Sequence, residues 1–196
     1  MRALVRELIE TVFLALTIFL ALQFSVQNFR VEGPSMEPTL KEGQHILVNK
    51  IVYLQHDLGD LLALLPFVTD NRPEATFAFH PPQRGDVIVF RFPRDPSRDF
   101  VKRVIGIPGD TIEIRRGEVF LNGVVLNEPY VVNADQSQEQ PTAVPPDSYY
   151  VLGDNRRASL DSRDWGPVPA DHLIGRGWLR YWPIDGAQVL SSFNLP

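Results

Sequence analysis

Thr111-Ile112-Glu113-Ile114-Arg115-Arg116-Gly117-Glu118-Val119-Phe120-Leu121-Asn122-Gly123-Val124-Val125-Leu126 decides the fold. Three short runs rich in branched and aromatic side chains are each set off by a two-residue break. Runs of this length suit strands and not helices. Arg116-Gly117 and Asn122-Gly123 supply the breaks, and glycine after such a residue suits a tight hairpin turn. The stretch therefore predicts two successive antiparallel hairpins. Runs of the same kind lie on either side: His45-Ile46-Leu47-Val48, Asp86-Val87-Ile88-Val89-Phe90 and residues 100–107 before it, Tyr149-Tyr150-Val151-Leu152 and residues 178–182 after it. Strands this short and this frequent predict a mainly β protein, a folded antiparallel β-sheet or barrel-like domain.

The chain has 196 residues and 44% apolar content, enough for one core and a membrane segment. Seventeen prolines and thirteen glycines suit loop-rich β structure. A net charge of -5 with scattered basic residues argues against nucleic acid as a partner. The chain contains no cysteine, which excludes disulfides, thiolate metal sites and a cysteine nucleophile.

Residues 8–26 are mostly apolar, and 12–22 are interrupted only by Thr17. At about 1.5 Å per residue these roughly 19 residues reach about 28 Å, one bilayer core. A cleaved signal peptide has a shorter apolar region ending in small residues, and Ala21-Leu22-Gln23 and Ser25-Val26-Gln27 are poor matches to such a site. Residues 1–28 thus read as a retained transmembrane anchor and 29–196 as an extracytoplasmic β-rich domain. Arg2 and Arg6 precede the apolar run and Arg30 alone follows it closely. The excess of positive charge on the near side sets the N-terminus in the cytoplasm, in a single-pass topology. Two stretches of the domain read as insertions, near 54–82 and 133–146. The second is polar and proline-bearing, a surface loop. The first contains apolar residues 58–68, either a helix over the core or a flap touching lipid or substrate.

Ser35 lies in Val31-Glu32-Gly33-Pro34-Ser35-Met36-Glu37-Pro38-Thr39-Leu40, where glycine and two prolines stiffen the backbone. A serine hydroxyl needs a neighbouring base to become a nucleophile. Lys102 is a candidate: as part of a strand it shares a face with Phe100 and Val104, and desolvation there lowers an amine's pKa toward neutral. Arg103 is no base, because guanidinium keeps its proton. Gly153-Asp154-Asn155 forms a turn. Ser159, Asp161 and Arg163 alternate, so an extended backbone would face them the same way. His45, His56, His80 and His172 are scattered, without metal-like spacing.

Four stretches, in order after the apolar segment, resemble the motifs of the type I signal peptidase family. They are residues 33–40, Arg84-Gly85-Asp86-Val87-Ile88-Val89-Phe90, residues 100–110 and residues 153–163. The resemblance implies a membrane-anchored serine endopeptidase that removes N-terminal signal peptides from exported preproteins. Cleavage falls after small residues of the Ala-X-Ala type, through a Ser/Lys dyad and an acyl-enzyme, without metal or cofactor. It implies Ser35 as nucleophile, Lys102 as general base, Ser159 orienting the lysine amine, and Asp161 with Arg163 as a supporting ion pair. The Ser35 backbone N–H is one oxyanion donor. Many relatives carry a serine at Gly33 whose hydroxyl is the other, and that hydroxyl is absent here. Phe90, Val151 and Leu160 match walls of the lysine, and Val31, Met36, Leu40, Phe100 and Val101 match the lining of the substrate pockets. Trp165, Trp178 and Trp182 are candidates for an apolar surface beside membrane lipid. A self-cleaving repressor-type peptidase uses a similar dyad but needs a DNA-binding domain ahead of the serine. A membrane-tethered β domain that binds partners without catalysis also fits the anchor and the strands.

Overall fold

The computed structural model describes residues 2–53, 77, 80–193 and 195. Nearly all of the 54–82 stretch, including the expected helix or flap at 58–68, lies outside the described residues.

The apolar N-terminal run is a single helix, α1, Arg2–Ser25. Its segment Arg6–Ser25 is long and apolar enough to cross a bilayer, and none of it is buried against the rest of the chain. Thr11 and Thr17 return their hydroxyls to the carbonyls of Glu7 and Phe13, at 2.8 Å each, so neither leaves a free polar group in the apolar face. The helix passes without a linker into strand β1, Val26–Arg30, one residue earlier than the apolar pattern ends.

Eleven further strands follow: β2 (His45–Asn49), β3 (Val87–Phe92), β4 (Asp95–Gly106), β5 (Thr111–Arg115), β6 (Glu118–Leu121), β7 (Val124–Val125), β8 (Glu139–Ala143), β9 (Ser148–Leu152), β10 (Val168–Pro169), β11 (Leu173–Trp182) and β12 (Gln188–Val189). One sheet has the order β1-β2-β11-β3-β4-β9-β10, with β12 beside β11; the other has the order β7-β6-β5-β8. Pairing within both is antiparallel, as expected. Among the described residues the larger path is open, with β1 and β10 at its ends. Both predicted turns have two successive positive φ values, 52° and 83° at Arg116-Gly117 and 52° and 81° at Asn122-Gly123. That is the backbone a two-residue hairpin loop requires.

The stretch 133–146 is exposed, but it is not only a loop. It contains β8, which pairs with β5 through Thr111↔Ala143. An exposed edge strand tolerates Pro141 and shows little hydrophobic pattern, which is why the sequence hides it. The strand expected at 178–182 likewise begins earlier, at Leu173, because two glycines disguise its start. At Gly175 a Cβ would lie 2.5 Å from the Asn49 carbonyl oxygen.

The larger sheet is covered on both faces. Val87 and Val89 of β3 join Val31, Met36 and Leu40 in one core, while Ile88 and Phe90 join Val104, Tyr149 and Val151 in another. Burial on both faces explains the unbroken apolar run in β3. A third core lies under the smaller sheet, around Ile112, Ile114, Val119 and Leu121.

Candidate active site

The Ser35 loop is held from below and behind. Met36 and Leu40 are fully buried and plug it into the core. Val31 N–H donates to the Gln44 carbonyl at 2.8 Å, and Leu40 N–H to that of Met36 at 2.8 Å. Ser35 is thereby left half-buried at the mouth of a cavity of about 570 Å³.

Lys102 comes from β4, opposite Ile88 of β3. Its amine nitrogen lies 2.8 Å from Ser35 Oγ and 2.9 Å from the Val101 carbonyl oxygen. Only 4% of the residue is exposed, and the Phe100 ring lies 5.3 Å from the amine. Desolvation lowers its pKa to about 8, against an opposing pull from Asp161 and Asp154. The expected strand face is present, since Phe100 and Val104 pack in one cluster with Phe90 and Val151. Leu160 is half exposed and lines the cavity.

The opposite face of β4 holds what the sequence reading missed. Arg103 is fully buried. It grips Asp154 with two bonds of 2.9 and 2.7 Å, donates to the Gly85 carbonyl at 2.8 Å and reaches Thr39 Oγ1 at 3.2 Å. The Tyr130 and Phe193 rings lie against the guanidinium at 4.1 and 4.9 Å. Thr39 Oγ1 donates to Asp154 at 2.5 Å. Asn155 donates its N–H to the Ser35 carbonyl at 3.0 Å and its amide to the Pro34 carbonyl at 3.2 Å. The Gly153-Asp154-Asn155 turn is therefore a clamp on the Ser35 loop. Gly153 makes the approach possible, because a Cβ there would fall 2.6 Å from the Ser35 carbonyl oxygen. The available signal was a second cation beside Lys102 in an apolar strand, which had to find a buried acid.

The expected shared face of Ser159, Asp161 and Arg163 breaks at Asp161. That residue caps a short helix, α2 (Ser162–Trp165), with the Asp164 carboxylate returning to the Asp161 N–H. The local signal is Asp161 followed three residues later by an acid. The Asp161–Arg163 ion pair is present, with both guanidinium contacts at 2.8 Å. Asp161 also accepts the Gly153 N–H at 3.1 Å, tying the capped turn to the clamp. Ser159 Oγ is buried and makes no hydrogen bond among the described residues; the amine of Lys102 bonds instead to Ser35 and Val101.

Val31, Phe100, Val101 and Gly33 line the cavity with Phe29, Ile46 and Val89. Met36 and Leu40 do not: they lie in the core beneath. Two strand edges face the cavity. Among the described residues β1 has β2 on one side only, and β4 has no partner opposite β3 until its pairing with β9 begins at Arg103. Trp165 is only partly exposed. It packs 5.0 Å from Phe92 and 5.6 Å from Phe100, behind the cavity wall. Trp178 and Trp182 are about half exposed, near the exposed Ile184 and Val189. His45 packs against Tyr181, and no described histidine lines the cavity.

A lysine amine against a serine hydroxyl, in an antiparallel β domain behind an apolar helix, is an arrangement suited to a serine peptidase. The sequence model of the signal peptidase family, peptidase S26, matches residues 5–182, and the chain belongs to that family. Signal peptidase I of Leptolyngbya laminosa is 36% identical over 187 residues, 91% of this chain and 80% of that protein. Signal peptidase I of Bacillus caldolyticus is 35% identical over 175 residues, 82% of each. A solved signal peptidase I from Enterococcus faecalis is 37% identical, covers 50% of this chain and 97% of its own, and has a TM-score of 0.43. The chain is a serine endopeptidase of this family, and a tethered module without catalysis is not favoured.

Proposed function

We propose that this chain removes signal peptides from exported preproteins by attack of Ser35 on the scissile carbonyl, with Lys102 as general base. One observation carries the reading: a buried amine, its pKa lowered to about 8, lies 2.8 Å from Ser35 Oγ. The neutral amine takes the hydroxyl proton as Oγ bonds to the carbonyl carbon. The resulting ammonium returns the proton to the departing amine, leaving the signal peptide as an acyl ester on Ser35. Lys102 then deprotonates a water that hydrolyses the ester. The Asn155 side chain holds the Pro34 carbonyl, and so the peptide plane that presents the Ser35 N–H as an oxyanion donor.

The free edges of β1 and β4 suit an extended peptide paired by its backbone. Val31, Phe100 and Val101 then meet alternate side chains and favour small ones. The β1 edge continues directly from α1, so the peptide beside it lies close to the lipid, with Trp178 and Trp182 as further lipid contacts. The N-terminal arginines favour a topology with the start of the chain in the cytoplasm and the β domain outside. Protein reconstituted in vesicles should cut a preprotein after the second alanine of an Ala-X-Ala site, as read by N-terminal sequencing of the product. In cells, protease added from outside should reach the 133–146 segment, and its protection there would overturn this topology.

Gly33 gives a graded test. Its φ is +76°, yet a Cβ there would meet nothing within 4 Å. The obstacle to a side chain is thus backbone strain and not space, about 1–2 kcal/mol for an unbranched residue. Gly33→Ser should lose about that much stability and remain active, its hydroxyl entering the cavity as a second oxyanion donor. Gly33→Val, β-branched, should lose more of both. Paired measurements of Tm and kcat/KM decide it, and an inactive but folded Gly33→Ser would show that the hydroxyl obstructs.

A further inference from the structure

We propose that Asp135 is a positioning residue for catalysis, acting through Arg163 on the loop behind Ser35 and Lys102. The inference rests on the Ser35–Lys102 reading above.

Residues 128–135 leave the smaller sheet and run as a strap along the loop 153–163. The strap is tied to that loop at successive points. The Glu128 carboxylate accepts both ends of the buried Arg156 guanidinium. Val132 N–H reaches the Asp154 carbonyl at 3.3 Å. Asn133 donates to the Asn155 side chain at 3.3 Å, and Arg157 donates to the Ala134 carbonyl at 3.1 Å. Asp135 completes the series by pairing with Arg163.

The last tie differs in kind. Arg163 already binds Asp161 with two bonds and also donates to the Arg156 carbonyl at 2.9 Å. With its side chain only 9% exposed, it needs acceptors on every edge of the guanidinium, and Asp135 supplies the edge that the loop cannot. Asp135 is itself fixed. Its other oxygen accepts the Ser137 hydroxyl at 2.8 Å, and Gly117 N–H bonds the Ser137 carbonyl at 3.0 Å. A Cβ at Gly117 would fall 2.2 Å from the Asp135 carbonyl oxygen. The β5–β6 turn therefore seats the strap, the strap seats Arg163, and Arg163 seats Asp161. Asp161 in turn holds Gly153 N–H and acts electrostatically on Lys102.

The test is steady-state cleavage of one preprotein by the full chain and its variants, with Tm measured on each. Asp135→Ala should lower kcat about tenfold with KM changed less than twofold. Asp135→Glu should restore at least half of the activity, which filling space alone would not explain. In an Arg163→Ala background, Asp135→Ala should cause no further loss. Should Asp135→Ala fail to fold, the isosteric Asp135→Asn carries the same expectation for kcat and for the Arg163→Ala background. Unchanged kcat in the folded variant, a lower Tm with full activity, or additive losses with Arg163→Ala would each overturn the inference. Cleavage retained by Ser35→Ala would instead overturn the reading it rests on, so the two failures are distinguishable.

Discussion

Ser35→Ala and Lys102→Ala should each reduce preprotein cleavage to background, a loss on the order of 10⁴–10⁶ in kcat. The first removes the atom that forms the ester. The second removes the only amine within reach of Ser35 Oγ among the described residues, at 2.8 Å. Lys102→Arg should be as inactive, because a guanidinium does not release its proton to act as a base. His45→Ala and His172→Ala should keep their activity, since neither histidine lines the cavity. The loss should not be one of folding. Lys102 is buried with a pKa below that of a free lysine, so the unfolded chain binds more protons between about pH 8 and 10.5. Stability of the unsubstituted protein therefore rises across that window and carries the full cost of burying an ammonium below it. Lys102→Met should be more stable than the unsubstituted protein at pH 7, and this advantage should shrink toward pH 10. Denaturant unfolding at both pH values, beside the cleavage assay, separates lost chemistry from lost structure.

Arg103→Met and Asp154→Ala should each destabilise the β domain by about 3–5 kcal/mol, because each leaves a buried charge without its partner. Both side chains of the pair are wholly inaccessible to solvent. For a domain of this size that is a fall in Tm of roughly 10 °C. Activity should fall further than stability explains. Asp154 holds Thr39 of the Ser35 loop, and its neighbour Asn155 holds the carbonyls of Pro34 and Ser35. Replacing both members together, Arg103→Met with Asp154→Leu, should recover part of the stability and little of the activity. Full recovery of activity in the double variant would show that the pair only fills space.

The strands and their turns were legible because glycine placement and short branched runs are local signals. Arg116-Gly117 and Asn122-Gly123 needed no partner to be read as turns. The membrane-length helix was equally legible from its unbroken apolar run. The ends of the elements were not. β1 follows α1 without punctuation, β8 is an exposed edge strand, and the first half of β11 carries two glycines, Gly175 where β2 approaches and Gly177 against Leu190 and Val87 of β3. At the site, Ser35 and Lys102 were legible through motif resemblance, and strand alternation supplied the lysine's apolar setting. Met36 and Leu40 were expected in the substrate pockets but lie in the core, because a loop this tight turns those side chains inward. The bonds from Arg103 to Asp154, from Asn155 to the Ser35 loop and from Asp135 to Arg163 join residues far apart in the chain. No local pattern records such pairs.

The most direct test of the Ser35–Lys102 account is the pH dependence of kcat/KM, which reports the ionisations of the free enzyme. A base must be neutral to act, and Lys102 titrates near pH 8. The account predicts a rate that climbs tenfold per pH unit below about 8 and levels above it, a limb that neither His45→Ala nor His172→Ala displaces. A midpoint near 6.5 that one of those substitutions removes would contradict it.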